Sequence, residues 1–299
     1  MRRGMTAEAL KQFMLEQGPS RNTVNMEWDK IWAVNKQILD PVVPRYTCIN
    51  KATAIKLTIT NGPATPEARS LSLHPKNTSL GDKAVMFGRD LLIEQEDAKN
   101  LEVGQKVTLM KWGNATITGR EERDGSSFEL FATVDEEDKN FKKTVKLTWI
   151  CNDPATTIEI KMIEFDHLIN KPKVEEDDKI EDLFNRNSRF EEVGIAEGVV
   201  NDMQKGSYFQ FERRGFYIVD SITMENSQMV VHFIPDGKTK GISVISHAVD
   251  ASVTAKGKGA VAKEGGGKKD QKAGEGAGPD GKMSKKELKK LEKKAAKKA

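Results

Sequence analysis

The spacing of hydrophobic residues changes near residue 45 of the chain. Before that point, apolar residues recur at helical spacing in two runs, one after Thr6 and one after Ser20. Both residues are of a type that caps helices, so they are the predicted starts. Asp40-Pro41 follows the second run and is predicted to end it, because proline cannot continue a helix.

Two short helices cannot bury large aromatic side chains by themselves. The second run contains Trp28 and Trp32. Isolated helices of this length are also marginal in water. We therefore expect the helical segment to pack on the part of the chain that follows it.

From about residue 45 the period becomes two, because apolar residues alternate with polar ones over short stretches. This alternation is typical of strands with one buried face. Breaker residues separate the stretches, which favours an antiparallel barrel or a sandwich. The predicted inward-facing residues are Ile55, Leu57 and Ile59; Phe128 and Leu130; Val145, Leu147, Trp149 and Cys151; and Ile158, Ile160 and Met162.

A hairpin is predicted in the last part of this region. Phe209 and Phe211 precede the turn Arg213-Arg214-Gly215, and Phe216 resumes the alternation after it. Glycine at the tip fits a tight reversal of the chain. One further strand is predicted from Met229 to Ile234.

Charge is distributed unevenly over the 299 residues. The whole chain carries 48 basic and 45 acidic side chains, but residues 251–299 hold 15 Lys against 6 acidic residues. Such a basic arm favours a polyanionic partner, with nucleic acid first and an acidic membrane surface second. Residues 241–282 are predicted to form a flexible linker, because most of this stretch is rich in Gly, Ala and Lys and lacks aromatic residues.

The sequence contains no evident catalytic or metal-binding constellation. Cys48 and Cys151 form no C-x-x-C pair, and the four histidines lack a nucleophile at a suitable spacing. We therefore expect no catalytic residue and no metal ligand. No apolar run approaches the roughly 18 residues that span a bilayer, and the N-terminus lacks a hydrophobic signal core. A cytoplasmic protein without a membrane partner is predicted.

Residues 283–299 differ from the linker before them. Lys282 to Lys286 (KMSKK) resembles the KMSKS loop of class I aminoacyl-tRNA synthetases, but it lies in a Lys-rich terminus, and we expect no active-site role. Ser284 and Glu287 instead form a capping box that predicts a basic helix. This helix either attracts tRNA phosphates or serves as a solubilising or partner-docking element. The candidate tRNA contacts in it are Lys285, Lys286, Lys289 and Lys290.

Other candidate RNA contacts are basic or aromatic residues at strand ends. Lys111-Trp112 is suited to stacking a splayed base, unless Trp112 fills a barrel core. Arg213-Arg214 at the hairpin tip suits phosphate or base-edge contacts, unless both are unpaired surface arginines. Arg45 and Lys146 complete the candidates by their strand-end positions.

Many ordered segments resemble eukaryotic glutamyl-tRNA synthetases, in the region just after the catalytic domain of that family. The resemblance covers about residues 2–245, and Asn25 to Lys30 looks like the glutamyl rather than the glutaminyl branch. The matching segments are Arg2 to Thr6, SRNTVNMEWDKIWAVNKQILDPVVPRY (Ser20 to Tyr46), Leu73 to Asn77, Ile93 to Ala98, VTLMKWGNA (Val107 to Ala115), Lys146 to Trp149, Glu164 to Leu168, Gln204 to Gly206 and the hairpin Arg213 to Asp220.

The resemblance implies a mainly β fold. A short helical segment over residues 1–44 would precede two anticodon-binding β-barrels over residues 45–240, one barrel inserted in the other. The distal barrel would span about residues 61–160, and the proximal barrel about 45–60 plus 161–240. A disordered linker and a basic C-terminal helix would follow.

The resemblance also implies a function. The whole protein would join glutamate to its tRNA with ATP and magnesium, while this chain, a fragment without the catalytic domain, would supply tRNA binding, would be inactive alone and would hold no cofactor. Expected partners are glutamate tRNA and other synthetases or a multi-synthetase scaffold. Two alternatives remain open: a stand-alone, non-catalytic RNA-binding or scaffolding protein, and the C-terminal region of a glutaminyl-tRNA synthetase.

Overall fold

The computed structural model describes residues 1–21, 26, 28–123, 128–169, 174, 176–222 and 228–238. All of these residues belong to one compact unit, Met1–Val249. The predicted linker 241–282 and the predicted Lys-rich helix 283–299 lie outside the described residues. Within the described part of the chain, no helix is long and apolar enough to cross a membrane.

Two helices precede the sheets, α1 (Ala7–Gln17) and α2 (Asp29–Leu39). Thr6 caps α1 as predicted, since its Oγ1 accepts a hydrogen bond from the Ala9 amide at 3.1 Å. This bond satisfies one of the amides that a helix start leaves without an intrahelical partner. The second helix ends directly before Asp40-Pro41, which confirms the predicted break.

The start of α2 differs from the prediction. Its N-cap residue is Trp28 rather than Ser20. Trp32 is 7% exposed and packs against Phe216 and Ile234, whereas Trp28 is 65% exposed. Because Trp28 precedes the first helical residue, it lies outside the buried stripe of α2. The helical segment therefore packs on the following domain through one tryptophan, not two.

Sixteen strands, two further short α-helices and two 3₁₀ helices, Thr78–Leu80 and Gly198–Asp202, follow in the described residues. The α-helices are α3 (Gln95–Ala98) and α4 (Ile180–Leu183). The strands are β1 (Arg45–Tyr46), β2 (Cys48–Asn50), β3 (Ala54–Ile59), β4 (Glu67–Ser72), β5 (Asp82–Phe87), β6 (Asp90–Glu94), β7 (Lys106–Leu109), β8 (Gly113–Glu122), β9 (Phe128–Asp135), β10 (Val145–Leu147), β11 (Trp149–Cys151), β12 (Thr157–Phe165), β13 (Arg189–Glu197), β14 (Tyr208–Phe211), β15 (Gly215–Ile222) and β16 (Met229–Ile234).

Most of these strands form two nearly closed barrels of seven strands each. The proximal barrel has the order β1-β14-β15-β16-β12-β13-β2, and the distal barrel has the order β10-β7-β8-β9-β3-β6-β11. The first and last strands of each order are consecutive in the chain, separated by one buried residue, Thr47 or Thr148. In each barrel, one bent segment of chain therefore supplies both the first and the last strand of the sheet. Few strand edges are left unpaired as a result. The predicted mainly β, two-barrel fold is confirmed.

The distal barrel is inserted between β2 and β12 of the proximal barrel, but its limits differ from those predicted. Strand β3 pairs with β6 and β9 of the distal barrel, although it precedes residue 61. Strand β12 begins at Thr157 and pairs with β13 and β16 of the proximal barrel. The chain changes barrel in the short turn 51–53, whereas the stronger breaker Asn61-Gly62-Pro63 only ends β3.

The predicted hairpin is formed by β14 and β15, which pair antiparallel from Tyr208 with Ile218 to Phe211 with Gly215. Gly215 has a φ of 138°, and a Cβ at this position would lie 2.6 Å from the Phe233 ring. Only glycine fits both the backbone conformation and the close approach. Strand β16 has the predicted bounds, Met229–Ile234.

Each barrel has its own hydrophobic core, and a smaller cluster joins the two. Alternating residues of β9, such as Phe128 and Leu130, point into the distal core. Ile49 of the proximal barrel packs with Leu92 and Ile150 of the distal barrel. This small apolar contact leaves room around it for charged groups that face both barrels.

Candidate nucleic-acid interface

Six of the ten candidate contacts lie in the described residues, and Lys285, Lys286, Lys289 and Lys290 lie outside them. Five of the six lie in turns or at the start of a strand, as the sequence indicated, whereas Lys146 is the middle residue of a three-residue strand. Arg45 begins β1, Lys111 and Trp112 connect β7 to β8, Lys146 lies in β10, and Arg213 and Arg214 connect β14 to β15.

The hairpin arginines bind carboxylates of the other barrel. Both terminal nitrogens of Arg213 contact the carboxylate of Asp97, one of them at 2.8 Å. The Arg214 guanidinium lies 2.8 Å from Glu94 Oε1 and 2.7 Å from Glu192 Oε1. Asp97 and Glu94 belong to the distal barrel, and Glu192 to the proximal one. Both arginines are therefore paired with carboxylates, and they join the two barrels.

Lys111, in the distal barrel, adds another ion pair between the two barrels. Its Nζ lies 2.7 Å from Glu212 Oε1, in the turn that also carries the two arginines. Lys111 and Arg213 are the only non-glycine residues of the described chain with positive φ, at 67° and 65°. This backbone conformation is uncommon outside glycine. Two strained turns therefore meet between the barrels, each contributing a charged side chain.

A buried ion pair lies beside this contact. Lys83 of β5 places Nζ 2.5 Å from Glu197 Oε2 and donates to the Arg45 carbonyl at 2.8 Å. Burial lowers the pKa of Lys83, and the nearby Glu197 carboxylate opposes that change. The other oxygen of Glu197 accepts the Thr47 amide at 3.1 Å. The pair fastens the β4–β5 hairpin to the segment that closes the proximal barrel.

Trp112 occupies the distal core. It is 9% exposed, and its ring lies 4.8 Å from that of Phe87 and 5.0 Å from that of Trp149. The indole N–H donates to Glu136 Oε1 at 2.8 Å. Hydrogen bonds from Arg69 and then Trp112 lower the pKa of the Glu136 carboxyl. Because the ring is buried in the distal core, Trp112 takes the core position weighed as the alternative.

Lys146 organises a loop rather than projecting into solvent. Its ammonium group donates to the carbonyl of Phe141, to the carbonyl of Thr144 at 3.0 Å and to Thr144 Oγ1 at 2.7 Å. Arg45, for its part, pairs with Asp40 at 3.0 Å. Each of the described candidates except Trp112 is therefore a cation with a partner inside the molecule.

Among the described residues, no group of three or more His, Cys, Asp or Glu side chains could hold a metal ion. The His74 ring accepts the amides of Lys76 and Asn77 at 3.1 and 2.9 Å, so it holds a turn. Burial raises the pKa of the Cys151 thiol to about 11, which keeps it protonated at neutral pH.

Two exposed aromatic residues, Phe141 and Phe184, played no part in the sequence-based predictions. Phe141 lies in the loop between β9 and β10 and is 38% exposed. Lys142 and Lys143 follow it, and both are exposed. An aromatic residue beside lysines, between two predicted strands, was a signal available in the sequence. It has the same local character as Lys111-Trp112, which drew attention instead.

The paired barrels, with charged turns between them, define a β-barrel binding module. Residues 43–135 and 146–220 each match a family model described as the anticodon-binding domain of class I tRNA synthetases (E and Q). These two ranges cover the main part of both barrels. The chain belongs to this family of class I tRNA synthetases for glutamate (E) and glutamine (Q), of which it carries the anticodon-binding domains.

Individual relatives agree with this assignment. The chain is 41% identical over 239 residues to the cytoplasmic glutamate–tRNA ligase of Saccharomyces cerevisiae, covering 80% of this chain and 33% of the yeast protein. It is 37% identical over 240 residues to the cytoplasmic glutamate–tRNA ligase of Arabidopsis thaliana, with 80% and 33% covered. It is 38% identical over 249 residues to the bifunctional glutamate/proline–tRNA ligase of Mus musculus, with 80% and 16% covered. The chain spans about a third or less of these relatives.

Proposed function

We propose that this chain recognises the anticodon stem-loop of tRNA as the RNA-binding part of a glutamate–tRNA ligase. The observation that carries the proposal is the match of both barrels to anticodon-binding domains. Relatives in two fungi and a plant are named glutamate–tRNA ligases, which favours glutamate tRNA as the substrate. Single-stranded loop bases expose the edges and faces that proteins read.

The whole protein would join glutamate to tRNA, with ATP and magnesium used by residues other than those described. We assign no step of that reaction to this chain. Several relatives carry the word cytoplasmic in their names, which supports a cytoplasmic location. The bifunctional relatives combine glutamate and proline ligases, which supports association with other synthetases or a multi-synthetase scaffold.

Glutamine tRNA is the second candidate substrate. The family description covers both E and Q enzymes, and the barrels alone do not separate them. The two tRNAs differ in their anticodons, so a direct comparison of affinity decides between them.

The test is binding of the full 299-residue chain to glutamate tRNA and to glutamine tRNA at two salt concentrations. We expect tighter binding to glutamate tRNA at both salts. A variant with Lys285, Lys286, Lys289 and Lys290 all changed to Gln is the control for non-specific attraction. This variant should lower the affinity for both tRNAs by the same factor. It should also reduce the salt dependence of that affinity, because fewer counterions are released. Equal affinity of the wild-type chain for both tRNAs would contradict anticodon reading.

A further inference from the structure

The connection between β12 and β13, residues 166–188, carries several exposed apolar side chains. Leu168, Ile169, Ile180 and Phe184 are between 38% and 68% exposed. A single apolar residue in solvent is ordinary, whereas a group of them bordered by polar residues is typical of a protein interaction site. This group therefore requires an explanation.

Hydrogen bonds hold the two arms of the β12–β13 connection together. The Asn185 amide donates to the Leu168 carbonyl at 2.8 Å, and Asn185 Nδ2 donates to the His167 carbonyl at 2.9 Å. The antiparallel arrangement of β12 and β13 therefore continues beyond the ends of both strands, to an isolated bridge between Ile169 and Phe184. A partner that contacts these residues meets an ordered surface, which lowers the entropy lost on binding.

Three of the apolar side chains lie on one face of the connection. Residues opposite each other in an antiparallel bridge have neighbouring side chains, which places Ile169 beside Phe184. Ile180 begins α4 and precedes Phe184 by four residues, the spacing at which side chains on a helical turn are neighbours. Ile169, Ile180 and Phe184 therefore form the apolar face of the connection.

Carboxylates border the apolar face. Residues 175–182 contain six acidic side chains and one lysine. Glu181 and Asp182 lie in α4 itself, both are exposed, and no ion pair between described residues involves either of them. Residues 166–188 as a whole have seven acidic and four basic side chains, so the connection is net negative. The basic residues are Lys171, Lys173, Lys179 and Arg186.

This combination of charge and apolar surface disfavours several classes of partner. RNA phosphates and anionic lipid head groups are repelled by carboxylates. A second copy of the same connection would place like charges opposite each other, which opposes association. A helix with lysine or arginine beside an apolar stripe satisfies both requirements, because its cations meet the carboxylates while its stripe covers the apolar face.

We infer that the apolar face of the β12–β13 connection docks a basic amphipathic helix of a partner protein. The apolar stripe of that helix covers Ile169, Ile180 and Phe184, and its lysine or arginine side chains pair with Glu181 and Asp182. The inference names a surface for the association with other proteins that the proposed function includes, and it does not depend on RNA binding.

The experiment measures the fluorescence anisotropy of a labelled peptide in the presence of the full 299-residue chain. The probe is a synthetic peptide of leucine and lysine with leucine at helical spacing. A shuffled peptide of the same composition, which lacks the apolar stripe, is its control and should bind more weakly.

Substitutions on the apolar face test its contribution. Phe184→Ala and Ile180→Ala should each weaken binding of the probe about 5- to 30-fold, the range for removing an interface anchor. Phe184→Leu should retain most of the affinity, because leucine keeps an apolar side chain at this position. Phe141→Ala, which truncates an exposed ring of the distal barrel, is the matched control and should retain all of it. Circular dichroism confirms that each variant is folded.

The carboxylates give an independent measurement. Glu181→Gln with Asp182→Asn should lower the affinity for the probe by up to about 5-fold at low salt and by less at high salt, because exposed ion pairs are screened. Glu102→Gln with Glu121→Gln removes the same charge from exposed positions of the distal barrel and is the matched control. This control should leave the affinity unchanged.

The outcomes separate docking on this face from the alternatives. Weaker binding by Phe184→Ala and by the α4 carboxylate variant, with both controls unaffected, supports the inference. Absence of binding, or an equal loss in the carboxylate variant and its distal control, overturns it, since any attraction would then be non-specific. Tighter binding to the four-lysine variant of the tRNA test overturns it as well, because the chain's own lysines would then compete for the face. None of these measurements involves RNA, so a failure here leaves the proposed function intact.

Discussion

Arg214 offers the sharpest test of how the two barrels are joined. Its side chain is 19% exposed and lies within 2.8 Å of Glu94 and within 2.7 Å of Glu192, whose side chain is 5% exposed. Arg214→Met keeps most of the apolar stem but leaves two shielded carboxylates without a cation. Breaking a buried ion pair from one side lowers stability by about 3–5 kcal/mol, because the remaining charge stays desolvated.

Arg213 in the same turn is the matched control. It pairs with Asp97, but its side chain is 43% exposed, so water and salt screen the interaction. Exposed pairs contribute about 0.2–1 kcal/mol, and Arg213→Met should stay within that range. The two substitutions remove the same group from neighbouring positions, so the difference between them measures burial rather than residue type.

The assay is urea unfolding followed by circular dichroism and by tryptophan fluorescence. Coincident transitions are required before a single free energy of unfolding is assigned. With a slope of about 2–3 kcal/mol per M, Arg214→Met should lower the midpoint by about 1–2.5 M. Changing Glu94 and Glu192 to Gln in the Arg214→Met background should recover a large part of the loss. Equal losses for Arg213→Met and Arg214→Met would refute the reasoning from burial.

Four further predictions concern the distal core, the titration of His232 and of Asp220, and the β4–β5 hairpin. Trp112→Ala should lower thermal stability by about 3–5 kcal/mol while the folded variant keeps its RNA affinity; a variant of full stability with weakened RNA binding would show a direct contact instead. Burial lowers the pKa of His232, so below about pH 6.5 the unfolded chain binds more protons and stability falls, by at most about 1.4 kcal/mol per pH unit. His232→Gln should flatten the urea stability curve between about pH 7 and about pH 5, and an unchanged slope in the variant would argue against this origin. Hydrogen bonding from Arg2 lowers the pKa of Asp220, so its contribution is present above about pH 3.9 and is lost at lower pH, as unfolding of the wild type in more acidic buffers should show. Lys83→Met should lower the free energy of unfolding in urea by about 3–5 kcal/mol, because the Glu197 carboxylate stays buried without its partner. Adding Glu197→Gln should restore most of that stability. Equal stability of the single and double variants would contradict this explanation.

Strand positions could be predicted because buried strand positions are occupied by apolar residues, which form a recognisable pattern in the sequence. Strand β16 has the predicted bounds, and the apolar residues of the predicted hairpin lie in β14 and β15: Phe209, Phe211, Phe216 and Ile218. The boundary between the barrels, in contrast, is not visible in the pattern of apolar residues. Strands on both sides of the turn 51–53 have the same alternation, and only their pairing partners assign them to different barrels.

The roles of individual side chains depended on partners that are distant in the sequence. Arg213 binds Asp97 at a separation of 116 residues, and Arg214 binds Glu94 at 120. Local sequence shows two arginines at a turn and cannot show the carboxylates opposite them. Trp112 and Phe141 likewise have similar neighbours in the chain, and only tertiary packing buries one ring and exposes the other.

Loss of RNA affinity after substitution of a hairpin arginine has two possible physical sources, and salt dependence separates them. Removing a direct phosphate contact lowers the salt slope by about 0.7, because fewer counterions are released. Removing a group that holds the barrels together alters their geometry, so affinity falls while the slope stays the same. Since Arg214 is shielded and paired with two carboxylates, we expect the second behaviour for Arg214→Met. A reduced slope would instead return Arg214 to the direct RNA contacts that the sequence predicted.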